Sequence, residues 1–111
     1  MNKRLFMTML YDFYGQLLTD KQKDVIEMYY LNDFSLSEIG EEHNITRQSV
    51  LDMLKRAESS LISYEDKLKL VERYLKQKDF IYEALSILDK TNENEKINRV
   101  KEILKGLLAD V

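Results

Sequence analysis

Between Leu36 and Arg56 the chain reads LSEIGEEHNITRQSVLDMLKR, and the order of small, apolar and turn-forming residues there constrains the fold more than any other feature. Ile39 and Gly40 fall on the inner face of a first helix, Asn44 at a turn, and Ile45 just past it. Val50, with Met53 or Leu54, falls on the inner face of a second helix. Gly40 is small where two helix backbones would cross closely. Asn44 tolerates the left-handed conformation that ends a helix, and Thr46 offers a hydroxyl to cap the next one. This spacing predicts a helix-turn-helix whose second helix exposes Arg47, Gln48, Ser49, Asp52, Lys55 and Arg56, side chains suited to nucleic acid. A helical hairpin with a tight turn also packs two helices without any ligand.

The stretch upstream supplies a further helix. Thr19 is a natural cap, and Val25, Ile26, Met28, Tyr29 and Tyr30 form an apolar side. A polar break at Asn32 and Asp33 follows, then a cap at Ser35. An apolar helix, a short break and a helix-turn-helix in this order resemble region four of the bacterial sigma factors.

No proline and only three glycines in 111 residues leave few places for a strand to turn, so an all-α fold is expected, with five or six helices. The opening MNKRLFMTMLYDFYG reads as an amphipathic helix with Leu5, Phe6, Met9, Leu10 and Phe13 on one stripe and Gly15 at its end. Tyr11 and Tyr14 flank that stripe, placed either to pack in the core or to stack on bases. Tyr11 and Asp12 interrupt the apolar run, so it predicts neither a signal peptide nor a membrane span, and no membrane insertion is expected. The absence of cysteine fits a reducing, cytoplasmic setting.

Beyond Arg56 the pattern becomes that of a long helix. Leu61, Tyr64, Leu68, Val71, Leu75, Lys78, Tyr82 and Leu85 alternate steps of three and four, a heptad seam widened by Tyr74, Ile81 and Leu88. A turn at Thr91 and Asn92, a cap at Asn92 or Asn94, and a stripe of Ile97, Val100, Ile103, Leu104, Leu107 and Leu108 complete a helical hairpin. The expected division is a helix-turn-helix domain over residues 1–60 and a helical arm over 61–111. Two helices bury only part of so wide a face; either the N-terminal domain covers the rest, or a second copy does, making a homodimer in which Leu61, Tyr64, Leu68, Val71, Leu75, Tyr82 and Leu85 are the packing candidates.

Charge limits the function. From Leu36 to Glu58, three cations (Arg47, Lys55, Arg56) oppose five carboxylates (Glu38, Glu41, Glu42, Asp52, Glu58), a net of minus two, whereas affinity for duplex DNA comes largely from cations on phosphates. In the arm, Lys67, Lys69, Arg73, Lys76 and Lys78 make either a basic stripe or a solvated face with its interleaved acids. The single histidine, His43, reads as a packing residue at the end of the first helix of the pair. No phosphate loop, nucleophile elbow or metal-spaced His/Cys pattern occurs, so no enzyme, cofactor or metal is expected.

LYDFYG at Leu10 to Gly15, LLT with the aromatic-rich helix to Tyr30, and SLSEIGEEHNITRQSV at Ser35 to Val50 together resemble the YlxM family of small bacterial helix-turn-helix proteins. The resemblance spans essentially the whole chain, and beyond Ser60 it lies mainly in the helical pattern. It implies an association by gene neighbourhood with the signal recognition particle GTPase, and so a non-catalytic accessory or regulatory role toward that GTPase or its RNA. Two other functions remain open on the residues: a transcription regulator on duplex DNA, and a helical adaptor that binds protein alone.

Overall fold

The computed structural model describes residues 1–91 and 94–109, and divides into two compact units, Met1–Val71 and Glu72–Val111. Among the described residues all regular structure is helical. The helices are α1 (Lys3–Tyr14), α2 (Asp20–Ile26), α3 (Leu36–His43), α4 (Arg47–Leu68), α5 (Leu70–Asp89) and α6 (Glu95–Ala109). No helix among them is long and apolar enough to cross a membrane.

Caps fix the helix starts where short polar side chains precede apolar runs. Thr19 accepts from the Gln22 amide while the Gln22 side chain reaches back, and Ser35 and Glu38 repeat that reciprocal arrangement at α3. Downstream of α2 the chain widens into a single π turn, Glu27–Leu31, in which the Asn32 amide reaches back five residues to the Glu27 carbonyl. The carbonyls of Tyr29 and Tyr30, left over at that end, accept from the Arg4 guanidinium at 3.2 and 2.8 Å.

The core of the first unit collects Leu10, Tyr14, Val25, Ile26, Ile39, Val50 and Leu61 around α4. The buried positions of α4, Val50, Leu54, Ala57, Leu61 and Glu65, step by three and four along one continuous 22-residue helix. The expected division at 60/61 therefore falls inside a helix.

Two sequence expectations change. On α1 the buried row is Met7, Leu10 and Tyr14, while Leu5 is 51% exposed and Phe13 also faces out. Both rows share Leu10 and step by three and four. The difference is set by Tyr14, whose ring lies 6.0 Å from that of Tyr64 and whose hydroxyl reaches Glu65 on α4. Gly15 ends α1 as its place in the sequence predicts, staying right-handed as it enters a 3₁₀ turn, Gly15–Leu17. A Cβ there would stand 3.0 Å from the Tyr11 ring, so the glycine serves close packing.

The heptad seam is also not one helix. Lys69 adopts the left-handed conformation (φ 57°, ψ 27°), ends α4 and lets α5 start at Leu70. Nothing in the local residues announces that break, because lysine rarely takes it; the first turn of α5 is instead held by Tyr14 and Glu65. In consequence Leu61 and Val71 are buried inside the first unit and cannot form part of a seam between copies.

In the second unit, Asn94 caps α6 by accepting from the Ile97 amide at 3.0 Å; the turn position Asn92 lies outside the described residues. Lys101 of α6 pairs with Asp89 of α5 at 2.8 Å, which holds the Asp89 carboxyl below its ordinary range. Among the described residues from Glu72 onward none is fully buried, and Phe80, Ile87, Val100, Ile103 and Leu107 are each more than two-fifths exposed.

Candidate nucleic-acid interface

The α3–α4 pair has the geometry that its spacing predicts. Asn44 closes α3 in the left-handed region (φ 54°, ψ 41°), and the Ile45 amide returns to the Gly40 carbonyl at 3.0 Å. A Cβ on Gly40 would lie 2.7 Å from the Ile45 carbonyl oxygen, closer than real Cβ atoms approach anything, so this crossing requires glycine. Thr46 starts α4 by accepting from the Ser49 amide at 3.0 Å, and its hydroxyl also bonds Ser49 Oγ at 2.9 Å. Val50 and Leu54 face the core, with Met53 half-buried between them and solvent. His43 is half-buried at the end of α3.

All six residues predicted for the interface are exposed on the first half of α4. They divide by what else they do. Ser49 is engaged in the cap, and the Gln48 amide donates to Asp52 at 3.1 Å, so these three are partly satisfied within the helix. Among the described residues, no ion pair engages Arg47, Lys55 or Arg56. Arg47 opens α4, a helix whose first turn has no acidic residue, and there the backbone dipole adds to its positive charge. Glu38, by contrast, is committed to the α3 cap, where the Ser35 amide lowers its carboxyl below the ordinary range.

Sequence reasoning missed two further cations. Lys3 and Arg4, at the start of α1, come up beside Lys55 on the flank of α4, and with Tyr29, Tyr30, Leu51, Leu54 and Glu58 they line a cleft of about 270 Å³. Arg4 is fixed there: besides its two carbonyl acceptors it pairs with Asp33 at 3.1 Å and lies within 6 Å of both tyrosine ring centres. Those two rings meet edge to face at 5.0 Å. Glu58 accepts from the Tyr30 hydroxyl and pairs with Lys3 at 3.6 Å. Burial first, and then that hydrogen bond, raise the Tyr30 phenol well above its ordinary range. No local pattern signals the cleft, because the residues that build it are about fifty positions apart.

The packing candidates of the seam separate between the units. Leu61 and Val71 are buried, Tyr64 is half-buried against Tyr14, and Leu68 is 46% exposed, all in the first unit. In the second unit Leu75 and Leu85 are half-buried and Tyr82 is exposed.

Comparison with known proteins agrees with this architecture. The family described as "Putative helix-turn-helix protein, YlxM / p13 like" matches residues 1–104. A UPF0122 protein of Thermoanaerobacter sp. (strain X514) is 55% identical over 98 residues, covering 88% of this chain and 78% of that one. The UPF0122 protein of Desulforamulus reducens is 43% identical over 105 residues, covering 92% and 90%. YlxM of Bacillus subtilis (strain 168) is 40% identical over 107 residues, covering 96% and 97%. The chain belongs to the YlxM / p13-like helix-turn-helix family.

Proposed function

We propose that this member of the YlxM / p13-like family is a non-catalytic accessory or regulatory protein of the signal recognition particle pathway, and that it docks nucleic acid on the exposed half of α4. The observation that carries the docking face is the set Arg47, Lys55 and Arg56, exposed on the outer side of a helix-turn-helix and without ion-pair partners among the described residues. The pathway is what the family resemblance implies. A structured RNA suits this face better than a promoter does. RNA is gripped largely through shape and backbone contacts, while Asp52 and the surplus carboxylates oppose a long run of duplex phosphates.

The test compares fluorescently labelled signal recognition particle RNA with random duplex DNA across a salt series. RNA should bind more tightly, and Arg47→Ala, Lys55→Ala and Arg56→Ala should each weaken it and together flatten the dependence on salt. Duplex DNA should bind no tighter than roughly 10⁻⁴ to 10⁻⁶ M at physiological salt. An enriched palindromic motif bound at nanomolar concentration, with half-sites about one helical turn apart, would establish a transcription regulator instead.

We also propose a homodimer through the second unit. A two-helix hairpin with no fully buried residue among those described lacks the core that folded helices need. A second copy would complete a four-helix bundle, the standard solution for antiparallel hairpins that each present an apolar stripe.

A further inference from the structure

We infer that the cleft beside α4 is a second binding site, which takes one nucleotide unit of a strand lying on the α4 face, its phosphate between Lys3 and Lys55 and its sugar or base against Tyr29. The inference rests on the nucleic-acid reading of α4 and extends it to a part of the surface that the helix-turn-helix pattern does not contain. Lys55 joins the two, since it belongs both to the exposed face of α4 and to the rim of the cleft.

The chemistry of the lining selects this ligand. Three cations, Lys3, Arg4 and Lys55, face one carboxylate, Glu58, in a chain whose net charge is −3. The partner of Arg4, Asp33, is 82% exposed and does not line the cleft. Glu58 is already occupied by the Tyr30 hydroxyl, and its contact with Lys3 is a long 3.6 Å pair with the lysine 69% exposed, so a phosphate can take Lys3 over at little cost. Tyr29, half-buried at the cleft, gives a sugar or base an aromatic surface that does not depend on sequence, with the buried Tyr30 packed edge to face behind it. A volume of about 270 Å³ lies below the usual range for extended cofactors and suits a single nucleotide unit.

The test uses the full chain with two probes, a fluorescein-labelled single-stranded RNA oligonucleotide and adenosine 5′-monophosphate. Lys3→Ala should weaken RNA binding by roughly twofold to fivefold and lower the slope of log affinity against log salt by about 0.7, the loss of one single-strand phosphate. Glu58→Gln, which removes the competing charge, should tighten binding; unfolding cannot move affinity in opposite directions in the two variants. Lys21→Ala, at an exposed position on α2, should change neither. Shifts of the Leu51 and Leu54 methyl signals with the monophosphate alone, abolished by Lys3→Ala while RNA binding is untouched, would assign the site to a free nucleotide. If Lys3→Ala alters neither probe while Arg47→Ala weakens RNA, the cleft inference fails and the α4 reading survives. If the wild-type protein binds neither probe but binds the signal recognition particle RNA, the cleft inference fails and the α4 reading survives; if it binds none of the three, both fail.

Discussion

The hydroxyl of Tyr14, at the end of α1, donates to the carboxylate of Glu65, near the end of α4, at 2.6 Å, in a place from which both side chains exclude solvent. Each partner then accepts from a free amide in the first turn of α5: Tyr14 from Leu70 at 3.1 Å and Glu65 from Val71 at 3.0 Å. A helix that begins directly after a left-handed residue has no flanking side chain to cap it, and two residues from other helices fill that role.

Tyr14→Phe keeps the ring and deletes the hydroxyl, leaving Leu70 and Glu65 each short of a partner. It should destabilise the protein by about 1.5–3 kcal/mol, the range for a hydrogen bond to a charged group. Glu65→Gln should cost a similar amount, and the double variant less than the two together, since both changes break the same contact. Urea unfolding of the four proteins measures this; strictly additive losses would separate the two residues energetically.

Two glycines should respond oppositely to alanine. Gly40→Ala drives a Cβ to within 2.7 Å of the Ile45 carbonyl oxygen and should destabilise by roughly 1–3 kcal/mol, despite the better helix propensity of alanine. Gly106→Ala meets nothing within 4 Å in the last turn of α6 and should stabilise by up to about 1 kcal/mol. Thermal melts of both variants decide it, and a stabilised Gly40→Ala would mean that the helix crossing is looser than described.

Alkaline pH should destabilise the protein through Tyr11, Tyr14 and Tyr30. Burial, followed by the hydrogen bond to Glu27, pushes Tyr11 up to about 12, and burial with a carboxylate partner raises Tyr14 and Tyr30 as well. A phenol whose folded value is raised contributes its full stability below about pH 10, where the unfolded chain ionises, and loses it as pH climbs through the folded value. Stability should therefore show no tyrosine contribution to its slope from pH 7 to 9. Above pH 10 it should fall by up to about 1.4 kcal/mol per pH unit for each phenol, less for the part-exposed Tyr11. Denaturation series at stepped pH check this, with Tyr11→Phe expected to show a shallower fall.

The proposed dimer should depend on the second unit and not on the buried end of the seam. Ile103→Asp with Leu107→Asp places carboxylates on the exposed stripe of α6 and should yield monomer in sedimentation while the first unit stays folded. Leu68→Asp, at an exposed position just before the Lys69 break, should leave association intact. A wild-type protein that is monomeric at high micromolar concentration would remove the proposal.

What the residues determine by themselves is the local architecture. Thr19, Ser35, Thr46 and Asn94 are caps because a short oxygen-bearing side chain satisfies amides within its own turn, and Asn44 and Gly40 set the α3–α4 turn through contacts a few positions apart. The six exposed residues of α4 follow from that turn and from the helical period, as does the helical class itself. The tertiary structure decides what depends on residues far apart in the chain. Leu5 and Phe13 could line α1 as well as Met7 and Tyr14 by spacing alone, and it is Glu65, fifty-one positions on from Tyr14, that selects the face. The same pair supports a helix start after Lys69, so a seam that is periodic in sequence is broken in space. Lys3 and Lys55 line one cleft for the same reason: periodicity reports which side of a helix is apolar, but only packing reports what that side faces.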